Sequence, residues 1–209
     1  MARTIKIKMD KEESEDKKLS IALMSAFVIL TIQYFVLISY KLLGTATSSR
    51  IQLLSKVLVG IMFLYALPVV FKRSKVKFIN TYFIVLFVFI LHYLVFPANR
   101  IYLKELVFPL FFMCLPAFIY SMSLNDYSIF KQVMKKASMI VFVIGAALGG
   151  LILSGRSSAG TYSMSLSYYM LLPTIMFLDE LLERFSINLL LFTSISLLVI
   201  LALGSRGAV

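Results

Sequence analysis

The sequence has one cysteine, Cys114, one histidine, His92, and no tryptophan. A single cysteine excludes an intramolecular disulfide and a thiolate metal cluster. A single histidine leaves a histidine-based metal site short of ligands, and no cofactor is expected. Charge is also scarce. Only 15% of the 209 residues are charged, and 60% are apolar, whereas a soluble domain carries about 25% charged and 45–50% apolar residues. These shortages exclude an ordinary cytosolic globule, a disordered chain and a disulfide scaffold. They leave a chain whose main solvent is lipid. The net charge of +11 would suggest nucleic acid in a soluble protein. In a membrane protein it marks the loops that stay on the cytoplasmic side, so its distribution decides its meaning.

The one strongly polar stretch is the N-terminal tail, residues 1–18. It holds Arg3, Lys6, Lys8, Lys11, Lys17 and Lys18 against Asp10, Glu12, Glu13, Glu15 and Asp16. Its near-balanced charge makes nucleic acid an unexpected partner. With little apolar area to bury, the tail is expected to stay mobile and to anchor the cytoplasmic end of the first helix. Seven apolar runs follow: residues 19–40, 51–71, 78–96, 106–120, 137–154, 162–178 and 187–204. A helix crosses the hydrocarbon core with about 20 residues. The fourth run is short and borrows flanks such as Glu105 and Ser121; Pro109 and Pro116 are expected to kink it. The runs are continuously apolar rather than alternating, which excludes a β-barrel. The first is too long for the core of a signal peptide and reads as an uncleaved anchor. The fold class expected is all-α: a polytopic membrane bundle of about seven transmembrane helices over residues 19–204, with 205–209 opening an outer loop.

Lys and Arg set the orientation. With the N-terminus inside, the inner segments carry fourteen basic residues: the six of the tail, Lys72, Arg73, Lys75, Lys77, Lys131, Lys135, Lys136 and Arg184. The outer segments carry seven: Lys41, Arg50, Lys56, Arg100, Lys104, Arg156 and Arg206. A cytoplasmic N-terminus and an outer end after the seventh helix follow.

No Asp or Glu lies within any of the seven runs, against a proton-coupled transporter, which needs an ionisable group at membrane depth. His92, one turn from the outer end of the third run, is expected to be neutral and bonded to a neighbouring helix. Gly145 and Gly149 form a G-x-x-x-G, whose default use is tight packing inside the bundle, with homodimerisation as an alternative. Between the fourth and fifth runs, Asn125 or Asp126 can cap a short helix. Tyr127, Phe130, Val133, Met134 and Ala137 share one face of it, and Lys131, Lys135 and Lys136 add charge. This predicts an amphipathic helix lying on the anionic inner leaflet.

Two arginines sit among small residues on the expected outer face. One is in Ser154-Gly155-Arg156-Ser157-Ser158-Ala159-Gly160-Thr161-Tyr162, the other in Leu203-Gly204-Ser205-Arg206-Gly207-Ala208-Val209. A guanidinium grips a phosphate or carboxylate through paired donors, and neighbouring glycines let the backbone approach a bulky ligand. The alternative role is to mark the level of the lipid headgroups.

The run Leu189 to Leu203 followed by Gly204-Ser205-Arg206-Gly207-Ala208, with Arg156, Gly160 and Tyr162 ahead of the sixth run, resembles the O-antigen ligase and polymerase family of bacterial membrane proteins. Ser163-Met164-Ser165 stands where many members have an Asn-Pro-Asn-like sequence. The resemblance implies a multi-spanning glycosyltransferase of the bacterial cytoplasmic membrane. Its partners would be membrane lipid, a polyprenyl-diphosphate-linked glycan and other envelope-assembly proteins. The glycan is joined to an acceptor at the outer face, and Arg156, Arg206 and Ser205 would bind the diphosphate that leaves. The family continues past its serine-arginine-glycine turn with more helices and a large outer loop, so the chain is expected to be the N-terminal portion of such a protein. No catalytic base is identified: the one outer carboxylate, Glu105, stands beside Lys104 and near Arg100. A lipid-linked glycan flippase, another transporter or a non-catalytic membrane subunit are the alternatives.

Overall fold

A computed structural model describes residues 2–154 and 163–202, with side chains for 11–154 and 165–202. Helix makes up 92% of the described residues, and no strand occurs among them. The order is α1 (Ala2–Ser39), α2 (Ala46–Val95), a 3-10 turn (Pro97–Asn99) and α3 (Arg100–Phe108). A π-helical segment (Pro109–Cys114), α4 (Leu115–Met122), α5 (Tyr127–Leu153), α6 (Ser163–Glu183) and α7 (Ile187–Ala202) follow. Four stretches are long and apolar enough to cross a membrane: Lys11–Ser39, Ala46–Val95, Pro97–Met122 and Tyr127–Leu153. Ile187–Ala202 is a shorter apolar helix.

Three boundaries differ from those expected from the sequence. The N-terminal tail is helical from Ala2 and continuous with the first apolar run, because Glu15 and Asp16 find cations to pair with. The second and third runs lie in one helix of 50 residues whose regular path breaks only at Ser74 (φ −139, ψ 29). The amphipathic segment after residue 126 is no separate in-plane helix; it is the first part of the 27-residue α5. Asp126 does cap it, accepting the Ser128 N–H at 2.8 Å and the Ser128 hydroxyl at 2.7 Å. These bonds, the hydroxyl's first, hold the Asp126 carboxyl below the usual carboxylate range. The cap is therefore fully present above that range and is lost as pH falls through the lowered value.

The chain divides into two compact units, residues 1–23 with 60–130 and residues 24–59 with 131–209. In the first, prolines set the local geometry. Pro116 has no N–H, so a π pattern leaves the Phe111 carbonyl, five residues back, without its backbone donor. The Tyr82 hydroxyl donates to that carbonyl at 2.8 Å. Tyr120, 1% exposed, donates to the Phe63 carbonyl of α2 at 2.5 Å. The expected kink of the fourth run thus takes the form of a π segment between α3 and α4.

The second unit holds the larger apolar core: Tyr34 and Ile38 of α1, Val141, Phe142 and Leu148 of α5, Leu166, Met170 and Phe177 of α6, and Val199 and Ile200 of α7. Phe142, Phe177 and Phe192 form a triangle of rings with centroids 5.0–5.5 Å apart. The G-x-x-x-G faces this core. A Cβ on Gly145 would overlap the Met170 sulfur, and one on Gly149 would stand 2.7 Å from a Val199 methyl. Packing within the bundle is therefore what the motif does. At the end of α1 the chain closes a Schellman turn: the Leu42 N–H reaches the Leu37 carbonyl at 2.9 Å and the Lys41 N–H the Ile38 carbonyl at 3.2 Å. Lys41 holds the left-handed position, φ 52, where glycine is usual.

Gly149→Ala should destabilise the protein by about 1–3 kcal/mol, the usual cost of overpacking against a stiff neighbour. Gly150→Ala, which meets nothing within 4 Å, should be neutral or slightly stabilising. Thermal unfolding of both variants in detergent tests the pair; equal stability would show that the inward face of α5 tolerates a methyl.

Candidate functional site

The residues singled out from the sequence, Arg156, Ser205 and Arg206, lie outside the described residues. Leading to the first, α5 ends at Leu153, and Ser154 turns back with its N–H on the Gly150 carbonyl at 3.0 Å and its hydroxyl on the Leu151 carbonyl at 3.0 Å. Leading to the other two, α7 ends at Ala202.

The most organised polar site among the described residues is built around Arg73 in the first unit. Its Nε donates to Glu15 Oε2 at 3.1 Å and its Nη1 to Asp16 Oδ1 at 2.6 Å. Nη1 also reaches the Ser123 carbonyl at 3.2 Å, and Nη2 the Glu12 carbonyl at 3.2 Å. Lys72 adds a bond to Glu15 Oε1 at 2.5 Å. The Asn125 N–H donates to Asp16 Oδ1 at 3.0 Å. The side chains of Arg73 and Asp16 are 10% and 2% exposed and Glu15 is nearly as covered, so these three form a largely desolvated centre, with Lys72 reaching it from the solvent side.

Local structure explains the assembly. Glu15 and Asp16 stand one turn before the apolar run in α1, and Ser74 interrupts the helix immediately after Arg73. A fixed five-donor fork can tie three segments at once; here these are residues 12–16, the Ser74 break and the turn before α5. Chemically the cluster is closed. Its carboxylates already accept charge-assisted bonds and have no role as a base, so it serves as a structural clasp. The sequence reading counted Lys72 and Arg73 only as inner-side anchors. The missed signal was two adjacent acids, Glu15 and Asp16, at the start of an apolar run.

A second cluster joins α5 to α6 in the other unit. Lys131 Nζ lies 2.7 Å from both Asp179 Oδ2 and Glu183 Oε1, and Lys135 Nζ lies 2.8 Å from Glu180 Oε1. These two lysines were expected to face an anionic leaflet, and they are paired with carboxylates of the same chain instead. The spacing could have shown it. Lys131 and Lys135 are four apart, Asp179 and Glu183 likewise, and each pair therefore shares a helix face.

His92 also finds a different partner. Its Nε2 is 3.1 Å from Asn99 Nδ2, in the 3-10 turn just past its own helix rather than in a neighbouring one. Beside it, Arg100 donates from Nε to the Tyr93 carbonyl at 3.0 Å and stacks on the Tyr93 ring at 5.1 Å. No group of His, Cys, Asp and Glu suited to a metal ion occurs among the described residues. Comparison with family models, curated proteins and solved structures finds no match to this chain.

Arg73→Met should cost about 3–5 kcal/mol, because it strands the buried Asp16 carboxylate. Adding Asp16→Asn to it should recover part of the loss by removing the unpaired charge. Denaturant titration in detergent gives both values, and a single variant as stable as the parent would refute the clasp.

Proposed function

We propose that the chain is a multi-pass protein of the bacterial cytoplasmic membrane and belongs functionally with the O-antigen ligases and polysaccharide polymerases, acting on polyprenyl-diphosphate-linked glycans. One observation carries this reading: Gly204-Ser205-Arg206-Gly207-Ala208 begins in the sequence two residues past the end of the apolar helix α7. The position of Arg156, three residues past the end of α5, supports it by putting a second guanidinium at a helix end of the same type. Seven crossings remain compatible with the helices. At 1.5 Å per residue the 50 residues of α2 measure about 75 Å, more than twice the hydrocarbon thickness of ~30 Å. Its arms on either side of Ser74 can each span. Counting α1, the Pro97–Met122 stretch, α5, α6 and α7 with them gives the seven crossings of this reading, and the fourteen-to-seven division of basic residues favours an inner N-terminus.

Glycosyl transfer from a polyprenyl diphosphate expels the diphosphate, and negative charge accumulates on it in the transition state. Fixed cations stabilise such a leaving group. Arg156 and Arg206 supply two guanidinium groups, each able to bond phosphate oxygens bidentately, and Ser205 adds a hydroxyl donor. The catalytic base stays unassigned.

Two measurements test this reading. With Cys114 replaced by serine, a cysteine introduced at position 158 should react with a membrane-impermeant thiol reagent on intact cells, and one at position 75 should not. The reverse pattern would overturn both the orientation and the outer site. Separately, Arg206→Lys should weaken binding of a polyprenyl diphosphate by roughly tenfold to a hundredfold, because a charge-assisted bond contributes about 1.5–3 kcal/mol and each 1.4 kcal/mol is about tenfold. Undiminished binding by the lysine variant would mean that the arginine only marks the headgroup level.

A further inference from the structure

The turn between α2 and α3 carries donors that the fold leaves unused. Arg100 is fixed at two points, by its Nε bond to the Tyr93 carbonyl and by its stack on the Tyr93 ring. The first of these satisfies an orphan carbonyl in the last turn of α2. Both act on one edge and one face of the guanidinium, leaving the Nη edge without a bond among the described residues. Lys104 is four residues on, so it shares the face of α3 that carries Arg100, and it is exposed. The nearest acid, Glu105, is one position further round the helix. It makes no ion pair with either cation; the ion pairs of the two clusters described above join other residues. In those clusters the fold pairs its buried and half-buried cations with carboxylates. Here two cations stand together and unpaired.

Their depth is given by what flanks them. The turn is the shared end of two stretches long and apolar enough to cross a membrane, Ala46–Val95 and Pro97–Met122. Tyr93 and Tyr102 stand on either side, the latter 72% exposed. Tyrosine collects where hydrocarbon gives way to headgroups. A pre-set guanidinium and an ammonium at that level, with no carboxylate bonded to them, suit a tetrahedral oxyanion. We propose that Arg100 and Lys104 form a binding site for the phosphate group of a membrane phospholipid. Arg100 takes two of its oxygens through the Nη edge, and Lys104 contributes a point charge. The site stands independently of any glycosyl transfer by the chain.

The test uses the full chain in zwitterionic detergent micelles with phosphatidylglycerol as the probe, and native mass spectrometry reads retained lipid. Saturable retention is expected in the parent and should fall about tenfold or more in Arg100→Gln and in Lys104→Gln. It should be unchanged in Lys77→Gln, which alters a cation away from this turn. Inorganic phosphate is added as competitor: failure to displace the lipid identifies a headgroup site, and displacement at low concentration identifies free phosphate as the ligand and overturns the lipid assignment. Arg100 also holds the Tyr93 carbonyl, so its variant can fail to fold. Lys104→Gln, which breaks no bond seen in the structure, then decides alone. Retention unchanged in Lys104→Gln, or lowered equally in Lys77→Gln, overturns the site.

Discussion

Backbone groups withdrawn from water must find partners within the chain, and most of this structure follows from that constraint. Helices meet it residue by residue, and the side chains that could disturb them are turned to the same end. Ser20, Thr31, Ser55, Ser123, Thr174, Thr193 and Ser196 each return their hydroxyl to the carbonyl four residues earlier. Such bonds satisfy a hydroxyl locally, at the cost of a slight bend. Where proline removes a donor, tyrosine supplies one from elsewhere in the same unit, as Tyr82 does for the Phe111 carbonyl.

Charge obeys the same rule more severely, since an unpaired ion out of water costs several kcal/mol. Arg73, Glu15 and Asp16 meet it with six bonds among side chains and main chain in the first unit. Lys131 and Lys135, which keep part of their solvent exposure, pair with three carboxylates of α6 in the second. Neither arrangement is rich in free chemistry. Arg100 and Lys104, by contrast, stand at a helix end with no carboxylate bonded to them.

The helical class and the apolar runs were legible because hydropathy is a local property: every run that was identified lies largely in helix. Gly145 and Gly149 were legible for a similar reason, since two small residues four apart have one default use in lipid. The boundaries were not. The charged tail reads as coil until Glu15 and Asp16 are known to meet Arg73, some 57 residues away in sequence. A break at a single serine, Ser74, has no pattern that distinguishes it from a loop between two spans. The lysines after Asp126 look like a membrane-surface helix because their partners, Asp179, Glu180 and Glu183, lie beyond the next two apolar runs. Asn99 was passed over as a partner for His92 because it follows the same helix. Arg156, Ser205 and Arg206 were chosen from composition and motif alone, and they lie outside the residues whose placement is described.

The π-helical segment Pro109–Cys114 has a geometric effect that reaches beyond its own turn. A π turn is an α-helix carrying one additional residue, and each residue advances the helical phase by about 100°. α4 is therefore rotated relative to the face that α3 alone would project. That phase brings the Tyr120 hydroxyl to the Phe63 carbonyl and the Ser123 carbonyl to Arg73. The segment works as a vernier: a length difference of one residue, placed between two prolines, sets which side of α4 faces inward. Without that residue, a face of α4 turned by about 100° would meet α2, and a different set of side chains would be needed to hold the clasp.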